Sequence, residues 1–321
     1  MIDLRRLRLL RELEARGTVH GAARALDYTP SAVSQQLAVL EREAGAPLLE
    51  RSGRTLRLTD AGRLLVGHAA TLLDGMAAAE ADLAALVAGR PAGTVRVAAF
   101  QSAFLELVAP AIAAVQREHP EVRLEAAEIE VEEAVPALRL GHLDAVVGDE
   151  YEGDPREVHP DLERTPLLTE QVRVVLREDH PLAGRARVPL ARLAGEAWTA
   201  TQPGTGHRHM HVRTCRRLGG FEPDIRFASD DLLILLELVR TAGCCALLPD
   251  LVLDRGHPGT VARLLAGGSQ ARDVFLLTRR ARTPAVAVVA DALRAVSARR
   301  TDRRSPGGRQ ASSGRRRAGG G

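Results

Sequence analysis

Between Gly21 and Glu41 small apolar side chains alternate with a run of uncharged polar ones, and the apolar positions return at helical spacing twice. Ala22, Ala23 and Leu26 form the first set, after Thr18, a residue type suited to an N-cap; Val33, Leu37 and Leu40 form the second. Between them stands Asp27-Tyr28-Thr29-Pro30, and Pro30 suits the first turn of a new helix while ending the old one. The pattern predicts two short helices about a tight break, a helix-turn-helix, whose second helix fits a DNA major groove. With Val33, Leu37 and Leu40 inward, Ser31, Ser34, Gln35 and Ala38 face outward, and Ser and Gln side chains can read base edges. A helical hairpin with an uncharged solvated face fits this stretch equally well.

The next segment, Pro47 to Thr59, shifts the balance. Leu56 and Leu58 alternate with polar residues around Ser52-Gly53, the pattern of a short β-hairpin or wing. Arg51, Arg54 and Arg57 then set cationic groups beside the second helix, where phosphates and a minor groove would lie. Ala22-Ala23, Leu26, Ala32-Val33-Ser34, Leu40-Glu41, Gly45, Pro47-Leu48, Glu50-Arg51 and Leu58-Thr59-Asp60-Ala61-Gly62 resemble the N-terminal signature of LysR-type transcriptional regulators. Leu49 departs from that signature, which commonly has Phe there. The resemblance implies a winged helix-turn-helix over residues 1–59 that binds double-stranded promoter DNA, with Thr29, Pro30, Ser31, Ser34, Gln35, Arg51 and Arg54 as DNA-binding residues.

Asp60 to Val87 lacks proline and is rich in Ala and Leu, as one long helix would be. Leu65, Ala69, Leu72, Met76, Ala79, Leu83 and Leu86 recur with alternating steps of four and three, a heptad seam that pairs two chains or, alternatively, buries the helix within one. The family resemblance implies a dimerising linker helix over residues 60–88, with Leu65, Leu72, Met76 and Leu83 on the seam and a homodimer or homotetramer as the product. Gly89-Arg90-Pro91-Ala92-Gly93 punctuates the chain as a hinge over residues 89–93.

Beyond the hinge the period changes. Strands are predicted at Val95–Ala99, Val122–Ala126 and Asp144–Gly148, with helices at Leu105–Arg117 and Val131–Leu140 between them, a β-α-β-α-β series that implies parallel sheet. A second series places strands near Val172–Leu176, Trp198–Ala200, Ile225–Ala228 and Cys244–Leu248, helices near His207–Leu218 and Asp231–Ala242, and a late strand Val274–Thr278 before a helix Pro284–Val296. The fold class is α/β multidomain: winged helix-turn-helix, long linker helix, and a two-lobed effector-binding domain over residues 94–298. The resemblance implies that these lobes are like periplasmic solute-binding proteins, with a small-molecule effector in the cleft between them. Gly141-His142-Leu143-Asp144-Ala145 and Gly243-Cys244-Cys245-Ala246-Leu247-Leu248-Pro249 are similar to family landmarks, with Cys245 where a Gly is usual.

In parallel α/β sheets ligands bind beyond the carboxyl ends of strands. That rule selects Gln101 and Ser102 in the first lobe, Thr199 and Thr201 in the second, and Glu130 after the second strand, each of which an ordinary cap or turn explains as well. His207, at the start of a helix, is a further effector contact; His207 and His211 stand at i and i+4, yet no third metal ligand has recognisable spacing. No metal, cofactor or catalytic motif is predicted, so the chain reads as no enzyme.

Composition refines this picture. The net charge of +3 is uneven: residues 299–321 carry +7 on an Arg-, Gly- and Ser-rich tail expected to be disordered, leaving −4 on the remainder. The chain has no Lys and no Asn, which a GC-rich genome explains. With three cysteines, two of them adjacent, and no apolar leader or span, the expected compartment is cytoplasmic. A cytoplasmic solute-binding module without DNA binding would explain the lobes but not the helix-turn-helix and wing.

Overall fold

The computed structural model describes residues 1–52 and 55–304. Three helices, α1 (Leu4–Arg16), α2 (Val19–Ala25) and α3 (Pro30–Ala44), precede a hairpin of β1 (Leu49–Ser52) and β2 (Thr55–Leu58). Thr18 and Thr29 cap α2 and α3, their side-chain oxygens accepting from the Gly21 and Ala32 N–H groups. Leu7, Leu10, Leu13, Ala22, Ala23, Val33, Leu37 and Leu40 close one core. The Glu41 carboxylate positions the hairpin by accepting from the N–H groups of Leu48 and Leu49 at 2.9 and 3.1 Å. A Cβ at Gly62 would sit 2.2 Å from the Leu48 carbonyl oxygen, so only glycine lets the following helix start so close to the wing.

That helix, α4 (Asp60–Ala88), is capped by Thr59. The heptad seam divides along it. Leu65 and Ala69 pack into the helix-turn-helix core, whereas Leu72, Met76 and Leu83 are 53%, 50% and 63% exposed. Leu65 therefore belongs to the intrachain core, because α4 begins by lying across α1 and leaves that support only farther on.

The first lobe starts with β3 (Gly93–Ala99) and a continuous helix of α5 (Gln101–Ala103), a π turn (Phe104–Val108) and α6 (Ala109–Glu118). It continues with β4 (Val122–Glu128), α7 (Val131–Arg139) and β5 (Ala145–Tyr151). β6 (Leu162–Arg177) leads into the second lobe, built from β7 (Arg187–Val188), β8 (Ala197–Ala200), α8 (Gly206–Thr214), β9 (Asp224–Ala228), α9 (Leu232–Ala242), β10 (Ala246–Pro249), α10 (Asp250–Leu253) and β11 (Thr260–Leu265). β12 (Ala271–Arg279) and α11 (Pro284–Arg304) return to the first lobe. β3 is parallel to β4 and β5, as the β-α-β series predicts; β12 is antiparallel to both β5 and β6.

β6 joins the lobes. Its Leu162–Gln171 half pairs with β12, and its Val172–Arg177 half with β10 and β11. The sequence predicts only the second half as strand, because Pro166 interrupts the first; the strand tolerates it where the register shifts between Val274 and Phe275. β11 is an addition to the predicted elements. The tail expected to be disordered from Arg299 begins instead as helix to Arg304, where Arg300 pairs with Glu106 and Asp254; residues 305–321 lie outside the described residues.

The helix-turn-helix also touches the first lobe directly. Arg11 of α1 donates to the Leu140 carbonyl, and Glu12, fully buried, lies 2.6 Å from His142 Nε2. Gly141, at φ +75, takes the tight bend between them, and a Cβ there would come within 3.4 Å of the Arg11 guanidinium.

Candidate DNA-reading face and interlobe cleft

α3 sorts its residues by helical period. Val33, Leu37 and Leu40 are buried, while Ser31, Ser34, Gln35 and Ala38 are exposed. Ser34 Oγ donates back to the Pro30 carbonyl at 3.0 Å, and the Thr29 and Ser31 hydroxyls lie 3.1 Å apart, so these groups are pre-oriented at the start of the helix. The Gln35 amide has no intramolecular partner among the described residues and is open to solvent. Arg57 is exposed on β2, and Arg51 lies on β1 opposite Leu56. Arg54 lies outside the described residues.

The cleft forms where β3, β4 and β5 end against the starts of α8 and α9. It has two compartments. The inner one, about 40 Å³, is lined by Gln101, Glu130, Asp149, Thr201, Asp230 and His207 among others; the outer one is about 550 Å³. Gln101 bridges the lobes, donating to Asp231 at 2.7 Å and accepting from the Leu232 N–H at 2.9 Å. Thr201 lies 2.6 Å from Thr205 Oγ1 and 3.3 Å from His207 Nδ1. Of the six predicted effector residues, Gln101, Glu130, Thr201 and His207 thus meet in one place.

Ser102 and Thr199 do not line the cleft. Ser102 is buried, with its hydroxyl accepting from Arg272 at 3.0 Å; Thr199 is fully buried and donates to the Phe227 carbonyl at 3.3 Å. The strand-end rule finds the right segments, but their backbone turns these two side chains inward.

His207 is neutral. Burial, with Arg272 adding to it, lowers the imidazole to about 4, although the Leu247 carbonyl works the other way. Its Nε2 faces that carbonyl at 2.9 Å and must carry the proton, leaving Nδ1 to accept from Thr201. A neutral ring supplies no charge for an anion. His211 is buried edge-on against Trp198, its ring centroid 6.4 Å from that of His207, and His209 is exposed. No group of three or more potential metal ligands occurs among the described residues. The three cysteines are buried, and burial pushes the Cys244 thiol up to about 11 and Cys215 up to about 12.

The charges that organise the cleft lack a local signature in sequence. Arg272 of β12 is buried and donates to Glu170 of β6, reaches Asp149 of β5 at 3.4 Å, and lies over the Phe100 ring. Burial alone would favour its neutral form, but the Glu170 and Asp149 carboxylates outweigh it and hold the guanidinium charged. Arg156, from the loop after β5, spans Glu132 at 2.9 Å and Asp149 at 3.2 Å. Glu130 keeps part of its surface exposed, yet crowding by the cleft walls strips water from it, and Asp149, Glu132 and Asp230 repel its charge. Together these raise it to about 7 against the pull of Arg156.

Residues 4–63 match the model of the bacterial regulatory helix-turn-helix protein, lysR family, and residues 88–298 match the LysR substrate binding domain. Among curated proteins, the chain is 30% identical to the HTH-type transcriptional regulator GbpR of Azospirillum brasilense over 69% of this chain and 64% of that one. It is 28% identical to MetR of Escherichia coli over 79% and 77%. Among solved structures, a full-length OxyR variant from Pseudomonas aeruginosa superposes with a TM-score of 0.67 at 23% identity, covering 92% of this chain and 95% of that one. Full-length CbnR complexed with its target DNA gives 0.53 at 20% identity, covering 92% and 100%. Two matching family models that together span the helix-turn-helix and both lobes place this chain in the LysR family of DNA-binding transcriptional regulators with an effector-binding domain.

Proposed function

We propose that this regulator binds promoter DNA as a homodimer or homotetramer, with α3 in the major groove. Gln35, Ser31 and Ser34 read bases, Thr29 and Pro30 set the start of the helix, and Arg51 and Arg54 engage phosphates or the minor groove. Leu72, Met76 and Leu83 pair α4 with its counterpart in a second chain. A small-molecule effector occupies the interlobe cleft, and the chain acts in the cytoplasm as a regulator rather than an enzyme, in keeping with its regulatory relatives.

The observation that carries this reading is the division of α3 into a buried apolar face and an exposed face without carboxylates over Ser31–Ala38. A Glu or Asp there would face the phosphates with like charge. A gel shift of the full chain with the intergenic region upstream of its own gene tests the reading. We expect a retarded complex that random DNA of equal length competes away only in large excess. Equal competition by random DNA would overturn it.

A further inference from the structure

We propose that the two compartments of the cleft together take one ligand with a cationic nitrogen head and an apolar body, and that the Arg156 guanidinium occupies the head's place until the ligand arrives. This rests on reading the cleft as the effector site, and adds the ligand's chemistry.

The partition comes first. Tyr151, Arg156 and Gly206 line both compartments, and a Cβ on Gly206 would come within 3.4 Å of Arg156 Nη2. Arg156 closes the wall between them: it comes from the loop after β5 and its guanidinium is bonded to Glu132, to the Asp149 carboxylate and to the Asp149 carbonyl, whereas Tyr151 is buried in β5.

Charge decides which head fits. The inner compartment presents Glu130, Asp149 and Asp230 against Arg156 and Arg272. Arg272 is already matched from behind by Glu170. Glu130 and Asp230 form no ion pair among the described residues, and Asp149, Glu132 and Asp230 add to burial in raising the proton affinity of Glu130. Turning Arg156 outward leaves a pocket of carboxylates that a ligand's ammonium or guanidinium would replace it in satisfying. An anionic head would meet the opposite: Arg272 is engaged by Glu170, and His207 is neutral.

The outer compartment suits the body. Val131, Val135, Pro136, Leu162, Phe275 and Leu277 line it, and its volume of about 550 Å³ is that of a small-molecule site. Its arginines offer little to an anion, since Arg139 is bonded to Asp161 and Arg164 to Glu150 while lying 3.7 Å over the Phe275 ring.

Calorimetric titration of the full chain with 4-phenylbutylamine, 4-phenylbutyrate and 4-phenylbutan-1-ol separates head from body. We expect the amine to bind about tenfold or more tightly than either of the others. E130Q and D230N should each weaken the amine by roughly three- to tenfold, and R156A should strengthen it several-fold by removing the internal competitor. Equal or tighter binding of the butyrate, or no effect of any of the three substitutions on the amine, overturns the cationic assignment while leaving the cleft as effector site. Absence of binding by all three probes at millimolar concentration overturns the ligand class altogether. Because the titration reads the cleft alone, either failure leaves the DNA-binding reading to the gel shift.

Discussion

Arg272 and Glu170 face each other directly in the register of β12 and β6, with the guanidinium donating to one carboxylate oxygen through Nε at 2.8 Å and Nη2 at 2.5 Å. The pair lies next to the place where β6 exchanges β12 for β10 and β11, so it secures the junction of the lobes. Removing one member strands a buried charge. Arg272→Met should therefore cost about 3–5 kcal/mol of unfolding free energy, and adding Glu170→Gln to the same chain should recover part of it. Urea unfolding decides; a loss below about 1 kcal/mol for the single variant would show that water or backbone groups satisfy Glu170 instead.

A second expectation concerns base reading. Gln35→Ala should weaken operator binding by about 1–3 kcal/mol and leave affinity for random DNA nearly unchanged, whereas Arg54→Ala should weaken both. Titrations at one fixed salt concentration make the comparison. Parallel losses for Gln35→Ala on the two DNAs would reassign that amide to backbone contact or to folding.

Dimerisation offers a third. Leu72→Glu with Leu83→Glu places like charges on the exposed part of α4, clear of the core that holds Leu65. The double variant should sediment as a monomer and lose tight binding to paired half-sites while its thermal unfolding stays close to that of the parent chain. A variant that remains dimeric would locate the association in the lobes.

The buried imidazole at the cleft predicts a pH dependence of stability. His207 titrates at about 4 in the folded chain against 6.5 for the ordinary group, so the unfolded chain binds the extra proton first on acidification. Its contribution is present in full above pH 6.5 and is lost as pH falls toward 4, on the order of 3 kcal/mol over that window. His211, lowered by burial as well, adds a loss of the same sign. His207→Gln should flatten the profile of melting temperature between pH 6.5 and 4, and an unchanged slope would assign it to other groups.

The exposed polar face of α3 was legible in the sequence because a helix repeats every 3.6 residues, so Val33, Leu37 and Leu40 reveal by themselves where Ser34 and Gln35 point. The α4 seam was legible as a period but not as a boundary: nothing local says that Leu65 meets the core of its own chain while Leu72 does not. Of the charges of the cleft, only Glu130 was legible. Arg272 lies 102 residues from Glu170 and 123 from Asp149, and in a chain whose basic residues are almost entirely arginine it looks like any solvated cation. Ser102 and Thr199 were mislocated for a related reason: strand order identifies the loops at a cleft, while the direction of each side chain depends on partners elsewhere in the chain.

α7 has a different job at each end. Glu130 and Val131 at its start face the cleft, and Leu140 to His142 just past its end meet Arg11 and Glu12 of the helix-turn-helix. Its nine residues span only about 13 Å, and an α-helix resists compression along its axis far better than a loop does. The winged unit is thus tied to the lobes at two separated points, α4 and this strut, and a body held at two points cannot swivel freely about either one. A tilt of α7 of a few degrees, imposed at the cleft, would displace α1 sideways and carry α3 with it, over a path far shorter than the one that runs through the 29 residues of α4.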